Sequence, residues 1–155
     1  MELRIHHFYD IIRDFGSGKD IKPHPYGHSY YKVAELIRKN PNLQIKIVVG
    51  ADAVCEGCKF LKDGKCLDKI THRKDFTSKE DFNNYLDKRI IKVSSFNEGD
   101  VLTPVELCKK AKSYLEKIEW VYEGNDPEHT EKRKENFING LKDYSELHGF
   151  DLHFL

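Results

Sequence analysis

The chain has 155 residues, and its 26 basic side chains are matched by 26 acidic ones for a formal charge of zero. That length suits one domain able to bury roughly two thirds of the surface its unfolded form exposes, and the balanced charge argues against a protein built to neutralise a nucleic-acid backbone. No run reaches the roughly 18 apolar residues that cross a bilayer, and the Met1-Glu2-Leu3-Arg4 start lacks a signal peptide's basic and apolar regions, so the expectation is a cytoplasmic protein partnered by neither membrane nor nucleic acid.

Leu3 to Phe8 alternates apolar and polar residues, which predicts a short strand. Tyr9 to Phe15 then predicts a short helix ending near Gly16 and Gly18. Either element puts His6 and His7 at a boundary, and since neighbours on a strand point to opposite faces, at most one of the pair can face a given site from a regular strand. Residues 22–28 are too rich in Pro and Gly for regular structure and form a loop carrying His24 and His28. Ser29 is a candidate cap for a helix to about Asn40, with Val33, Leu36 and Ile37 as its apolar stripe. Leu43-Gln44-Ile45-Lys46-Ile47-Val48-Val49-Gly50 is the best strand in the chain, and it runs through Asp52 straight into a cysteine cluster. The carboxyl end of a strand is a common place to build a site in a sheet flanked by helices.

Cys55, Cys58 and Cys66 form a C-x2-C-x7-C run within twelve residues. Two thiols separated by two residues can turn inward on one loop, Gly57 lets the backbone wrap closely, and the Asp63-Gly64 turn returns the third thiol. A soft metal or an iron-sulfur cluster is the natural occupant. In a reducing compartment such a cluster points to metal binding or catalysis rather than to disulfides.

Asp68 to Asp75 reads as irregular. Thr77 with Glu80 forms a capping box opening a helix to about Leu86 or Lys88, and Arg89 to Val93 is either a short strand or that helix's tail. Thr103-Pro104-Val105-Glu106 is a stronger start for a helix with Val105, Cys108, Ala111, Leu115 and Ile118 on one side. Asn125-Asp126-Pro127-Glu128 opens a long charged helix to about Leu147, followed by an apolar tail to Leu155. These elements predict a single compact domain over residues 1–155, α/β or α+β, with a small sheet flanked by about four helices.

Three thiols do not complete a structural zinc site or the usual four-thiolate cluster shell. Cys108 and Asp10 are the candidate fourth ligands, with His6 and His7 as rivals; a buried free cysteine is the plainer reading of Cys108. If Asp10 or solvent completes a cluster, an enzyme with an open iron follows, with His6 or His7 as catalytic proton carriers and a small-molecule substrate as partner. If Cys108 completes it, an electron-transfer module with a redox partner follows, or a structural role. The alternative is a structural zinc-binding protein acting as an interaction module, and a third class is a thiol enzyme with Cys55 or Cys58 as nucleophile. His24, His28 and His72 are loop histidines able to line the same cavity.

Arg4-x-His6-His7, Gly27-x-Ser29 before a helix, Gly50-x-Asp52-x-x-Cys55-x-x-Cys58 after a strand, and the later Cys66 together resemble the domain of unknown function 1284 family, small prokaryotic proteins described as iron-sulfur binders. The resemblance covers roughly residues 3 to 110. In that family the double histidine is usually followed by two apolar residues and a cysteine, and here that position is Asp10. The resemblance implies Cys55, Cys58 and Cys66 as cluster ligands and leaves the fourth position open. It implies no reaction. The expected cofactor is an iron-sulfur cluster of the 4Fe-4S kind, with Zn2+ as the alternative.

Overall fold

Gly16 and Gly140 have no side chain, and that lets two helices touch backbone to backbone. A Cβ on Gly140 would stand 1.8 Å from the Ile12 carbonyl oxygen, and one on Gly16 would stand 2.0 Å from that of Asn136. In the computed structural model, which describes residues 1–155, this crossing is the spine of the molecule. The elements in chain order are β1 (Glu2–Leu3), α1 (Ile5–Gly16), α2 (Tyr30–Lys39), β2 (Ile45–Ile47), a 3-10 turn (Ala53–Cys55), β3 (Leu61–Lys62), β4 (Lys65–Cys66), α3 (Lys79–Val93), β5 (Val101–Leu102), α4 (Pro104–Lys109), α5 (Lys112–Glu116), α6 (Ile118–Val121) and α7 (Pro127–His148).

The fold is α+β. Its main sheet has the order β1-β2-β5, with β1 parallel to β2 and β5 antiparallel, and Leu3 stands opposite Ile47. A separate hairpin pairs β3 with β4 through Leu61 and Cys66. Leu3, Ile45 and Ile47 from the sheet join Ile5, Phe8, Ile11 and Ile12 of α1 and Phe137 and Leu141 of α7 in one buried apolar core.

Local signals explain where the elements start. Thr103 and Glu106 form the expected capping box, each side chain bonding the other's backbone N–H, with Pro104 opening α4. Asp126 caps α7 ahead of Pro127. Other signals shift. The cap of α3 is Ser78, which accepts from Asp81, so the Thr77–Glu80 box does not form and Glu80 is free for other work. Residues 89–93 are the tail of α3. The helix expected from Thr103 to Ile118 is broken at Lys110 and Lys117, where tighter bonds such as Ala111 N–H to Cys108 C=O bend the chain. Of the expected stripe, Cys108, Ala111 and Ile118 are buried, while Val105 and Leu115 are only half-buried and Tyr114 takes the inward position where the chain bends. The tail packs Phe150, Leu152 and Phe154 against the core without adding a strand.

Candidate functional site

Because β1 and β2 run parallel, the segments that leave their carboxyl ends begin side by side. One is α1, starting at Ile5; the other leads through Asp52 to the 3-10 turn that ends at Cys55. The expected strand over Leu3 to Phe8 stops at Leu3, so His6 and His7 lie in the first turn of a helix. Helical neighbours are turned about 100° apart rather than 180°, and both histidines therefore line one cavity, their ring centroids 4.3 Å apart.

That cavity, of about 420 Å³, collects almost every residue singled out from the sequence. Cys55, Cys58 and Cys66 line it, as do His6, His7 and Asp10, and so do His24, His28 and His72. Cys108 does not. It is fully buried in the core, where burial pushes its thiol well above the ordinary range. Asp10 is present but committed: its Oδ1 accepts from Arg13 at 3.1 Å and from Arg133. Burial alone would raise the Asp10 carboxyl, but the two guanidinium groups outweigh it and hold the carboxyl well below the usual carboxylate range. A carboxylate shared by two arginines is a poor candidate for metal ligation.

The histidines are held from behind. His6 Nδ1 lies 2.8 Å from Asp87 Oδ1, and His7 Nδ1 lies 2.8 Å from Asp52 Oδ2. Burial opposes ionisation of Asp52, yet His7 and the Arg4 backbone N–H prevail and bring its pKa down to about 2. Beside an ionised carboxylate the Nδ1 must carry the proton, which leaves Nε2 of each neutral ring as the atom free to meet a ligand. Burial likewise lowers His7, but Asp52 more than compensates and the net shift is upward.

Arg4 ties the two pairs together. Its backbone N–H donates to Asp52 at 2.7 Å, one side-chain nitrogen donates to Asp87 at 2.8 Å, and the other lies 3.3 Å from Glu80, whose Oε2 also accepts the Cys66 N–H at 3.1 Å. Asp52 also accepts the Val54 N–H and, at 3.5 Å, the Cys55 thiol. The buried carboxylates thus connect α1 to both ends of the cysteine segment. Burial first, then Asp52, push the Cys55 thiol up to about 12, the opposite of the depressed value that a nucleophilic cysteine needs.

The cysteine loop also locks onto the Pro/His loop. Gly27 and Gly57 both take left-handed φ values, 79° and 81°, and a Cβ on either would stand 2.7 Å from the other's carbonyl oxygen. Ser29, rather than capping α2 with its side chain, donates its hydroxyl to the Glu56 carbonyl at 2.7 Å.

Asp87 and Glu80 were not singled out from the sequence. Asp87 lies on the same stripe as Phe82, Leu86 and Ile90 in α3, and its side chain is fully buried; a carboxylate at apolar spacing was the available signal.

All four cysteines are free. In kind, three thiols and two carboxylate-backed imidazoles match what an iron-sulfur cluster or zinc takes. In arrangement, no three thiols, imidazoles or carboxylates converge as a metal's ligands do. The donors share a cavity without sharing a centre. The lining also holds five cations, Arg4, Arg13, Lys19, Lys79 and Arg133, against three carboxylates, Asp10, Asp14 and Glu80.

A family model described as "Protein of unknown function (DUF1284)" matches residues 24–124. The matched stretch contains all four cysteines, while His6, His7 and Asp10 precede it. Searches of curated proteins and of solved structures give no match. No helix is long and apolar enough to cross a membrane.

Proposed function

Since the chain belongs to the family of proteins of unknown function described as DUF1284, whose description carries no activity, we propose from the cavity itself that it binds an iron-sulfur cluster on Cys55, Cys58 and Cys66 and works as an enzyme on a small molecule. One observation carries this reading. The three loop thiols line the same cavity as His6 and His7, whereas the fourth cysteine is buried in the core, outside that lining.

Three thiolates leave one position of a four-iron cluster without a cysteine, and a cluster so held supplies a Lewis-acidic iron. The chain's own residues account for the rest. Nε2 of His7 and of His6 can take or return a proton in the cavity, and Asp52 and Asp87 fix which ring nitrogen carries it. Val54, Phe82 and Leu86 supply apolar lining that limits water around those atoms. The reading takes the reducing cytoplasm as the compartment, where neighbouring thiols stay available to metal.

The carboxylate-backed histidines favour zinc as a second reading, because a ligating imidazole commonly donates its other N–H to a carboxylate. Three cysteines and one histidine make a closed zinc site. Purification without oxygen separates the two. Iron with acid-labile sulfide and a brown visible spectrum supports the cluster; colourless protein with one zinc rejects it in favour of zinc; protein with neither rejects both.

A further inference from the structure

The metal reading leaves much of the cavity's charge unused. Arg133 gives one guanidinium nitrogen to Asp10, sits 4.3 Å over the ring of Tyr122, and its side chain makes no other hydrogen bond within the protein. Asn125 Oδ1 accepts from the Arg73 guanidinium at 2.7 Å, so its amide N–H groups are what it has left to offer. His24 and His28 stack with centroids 4.4 Å apart, and each Nδ1 accepts a backbone N–H, from Tyr26 and from Tyr30. A neutral imidazole whose Nδ1 accepts must carry its proton on Nε2, so both rings present donors. Lys79 pairs with one carboxylate, Asp68 at 3.4 Å. All five residues line the cavity, and its lining carries two more cations than carboxylates.

We propose that Arg133, Lys79, Asn125, His24 and His28 form a subsite for the oxyanion group, carboxylate or phosphate, of a small organic molecule held in the same cavity as the thiols. The proposal rests on this cavity being the functional site, whichever metal the thiols hold. A guanidinium fork suits either oxyanion because it offers parallel donors in one plane, and Asp10 holds the Arg133 fork from one side. A volume of about 420 Å³ falls in the range of pockets that enclose small ligands.

Calorimetric titration of the full chain, with and without its metal, tests this with inorganic phosphate, succinate and neutral succinamide as probes. The expected result is saturable binding of at least one anion at millimolar concentration or below and none of succinamide. Phosphate alone points to a phosphate ester; succinate alone points to a carboxylate. Arg133→Gln should weaken binding about tenfold, equivalent to about 1.4 kcal/mol. Lys79→Gln, which touches no buried pair, should cost a smaller but measurable factor and serves if the arginine variant fails to fold. Absence of saturable anion binding, or wild-type affinity in Lys79→Gln and in a folded Arg133→Gln, overturns the proposal. Anion binding by protein that never carries metal sinks the cluster reading while the subsite stands.

Discussion

On the α1 side of the cavity, His6 and His7 are held by Asp87 and Asp52, whose side chains are fully buried and which are themselves held by Arg4. In the cysteine segment Cys55, Cys58 and Cys66 are half-buried, carried by a 3-10 turn and two-residue strands around Asp63 and Gly64, both in left-handed conformation. The first wall is fixed by long-range bonds to α3 and by the glycine crossing with α7. The second combines local backbone bonds such as Cys58 N–H to Cys55 C=O with bonds to the Pro/His loop, Lys59 N–H to Tyr26 C=O and Ser29 hydroxyl to Glu56 C=O, and with the bond that the Cys66 N–H donates to Glu80. Half-buried segments on short elements reorganise at lower cost than buried ones, so on the proposed reading a ligand with strong thiolate bonds would draw the cysteines together while the histidine wall stays in place. On that reading, metal binding would do part of the folding of the loop.

Removing a support of the α1 wall should have the largest effect. Asp87→Ala leaves Arg4, 1 % exposed, without its closest acidic partner, and loss of one member of a buried pair costs about 3–5 kcal/mol. Urea denaturation should show that loss in metal-free protein. A loss below about 1 kcal/mol, the range of exposed ion pairs, would mean that this wall is not held as described. Gly140→Ala comes next. Its Cβ must push the Ile12 carbonyl away, which should destabilise by about 1–3 kcal/mol even though alanine is the better helix former by roughly 1 kcal/mol.

Acid should produce the most selective change. Burial works against ionisation of Asp10, Asp52 and Asp87, yet their arginine and histidine partners lower all three from the ordinary 3.8. A carboxyl whose pKa is lower in the folded protein contributes stability that is complete above its unfolded value and is lost as pH falls toward the folded one. The urea midpoint should therefore lose this contribution only below about pH 4. Carboxyl titration by NMR should find all three groups ionised at pH values where exposed acids are already protonated.

Much of this was legible in the chain, and the failures have physical causes. The cysteine run, the strand leading into it and the caps at Thr103 and Asp126 depend on neighbouring residues and could be read locally. Alternation over Leu3 to Phe8 mimicked a strand because the apolar residues of a first helical turn share its spacing over so short a run. That misreading separated His6 from His7, which the helix unites. Thr77 looked like a cap because Glu80 stands three residues on, but Arg4 and Cys66 claim that carboxylate instead. Asp87 and the Gly16–Gly140 contact join residues more than 80 positions apart along the chain, and no local pattern announces such pairs. Cys108 is buried, as its core spacing implies.

The metal content of two single variants tests the central claim most directly. Cys66→Ser and Cys108→Ser should be purified without oxygen beside the unaltered chain, and iron, acid-labile sulfide and zinc counted in each. Cys108→Ser should keep the full complement, and Cys66→Ser should lose most of it while remaining folded. Loss in Cys108→Ser with retention in folded Cys66→Ser, or the absence of any bound metal in the unaltered protein, would contradict the claim.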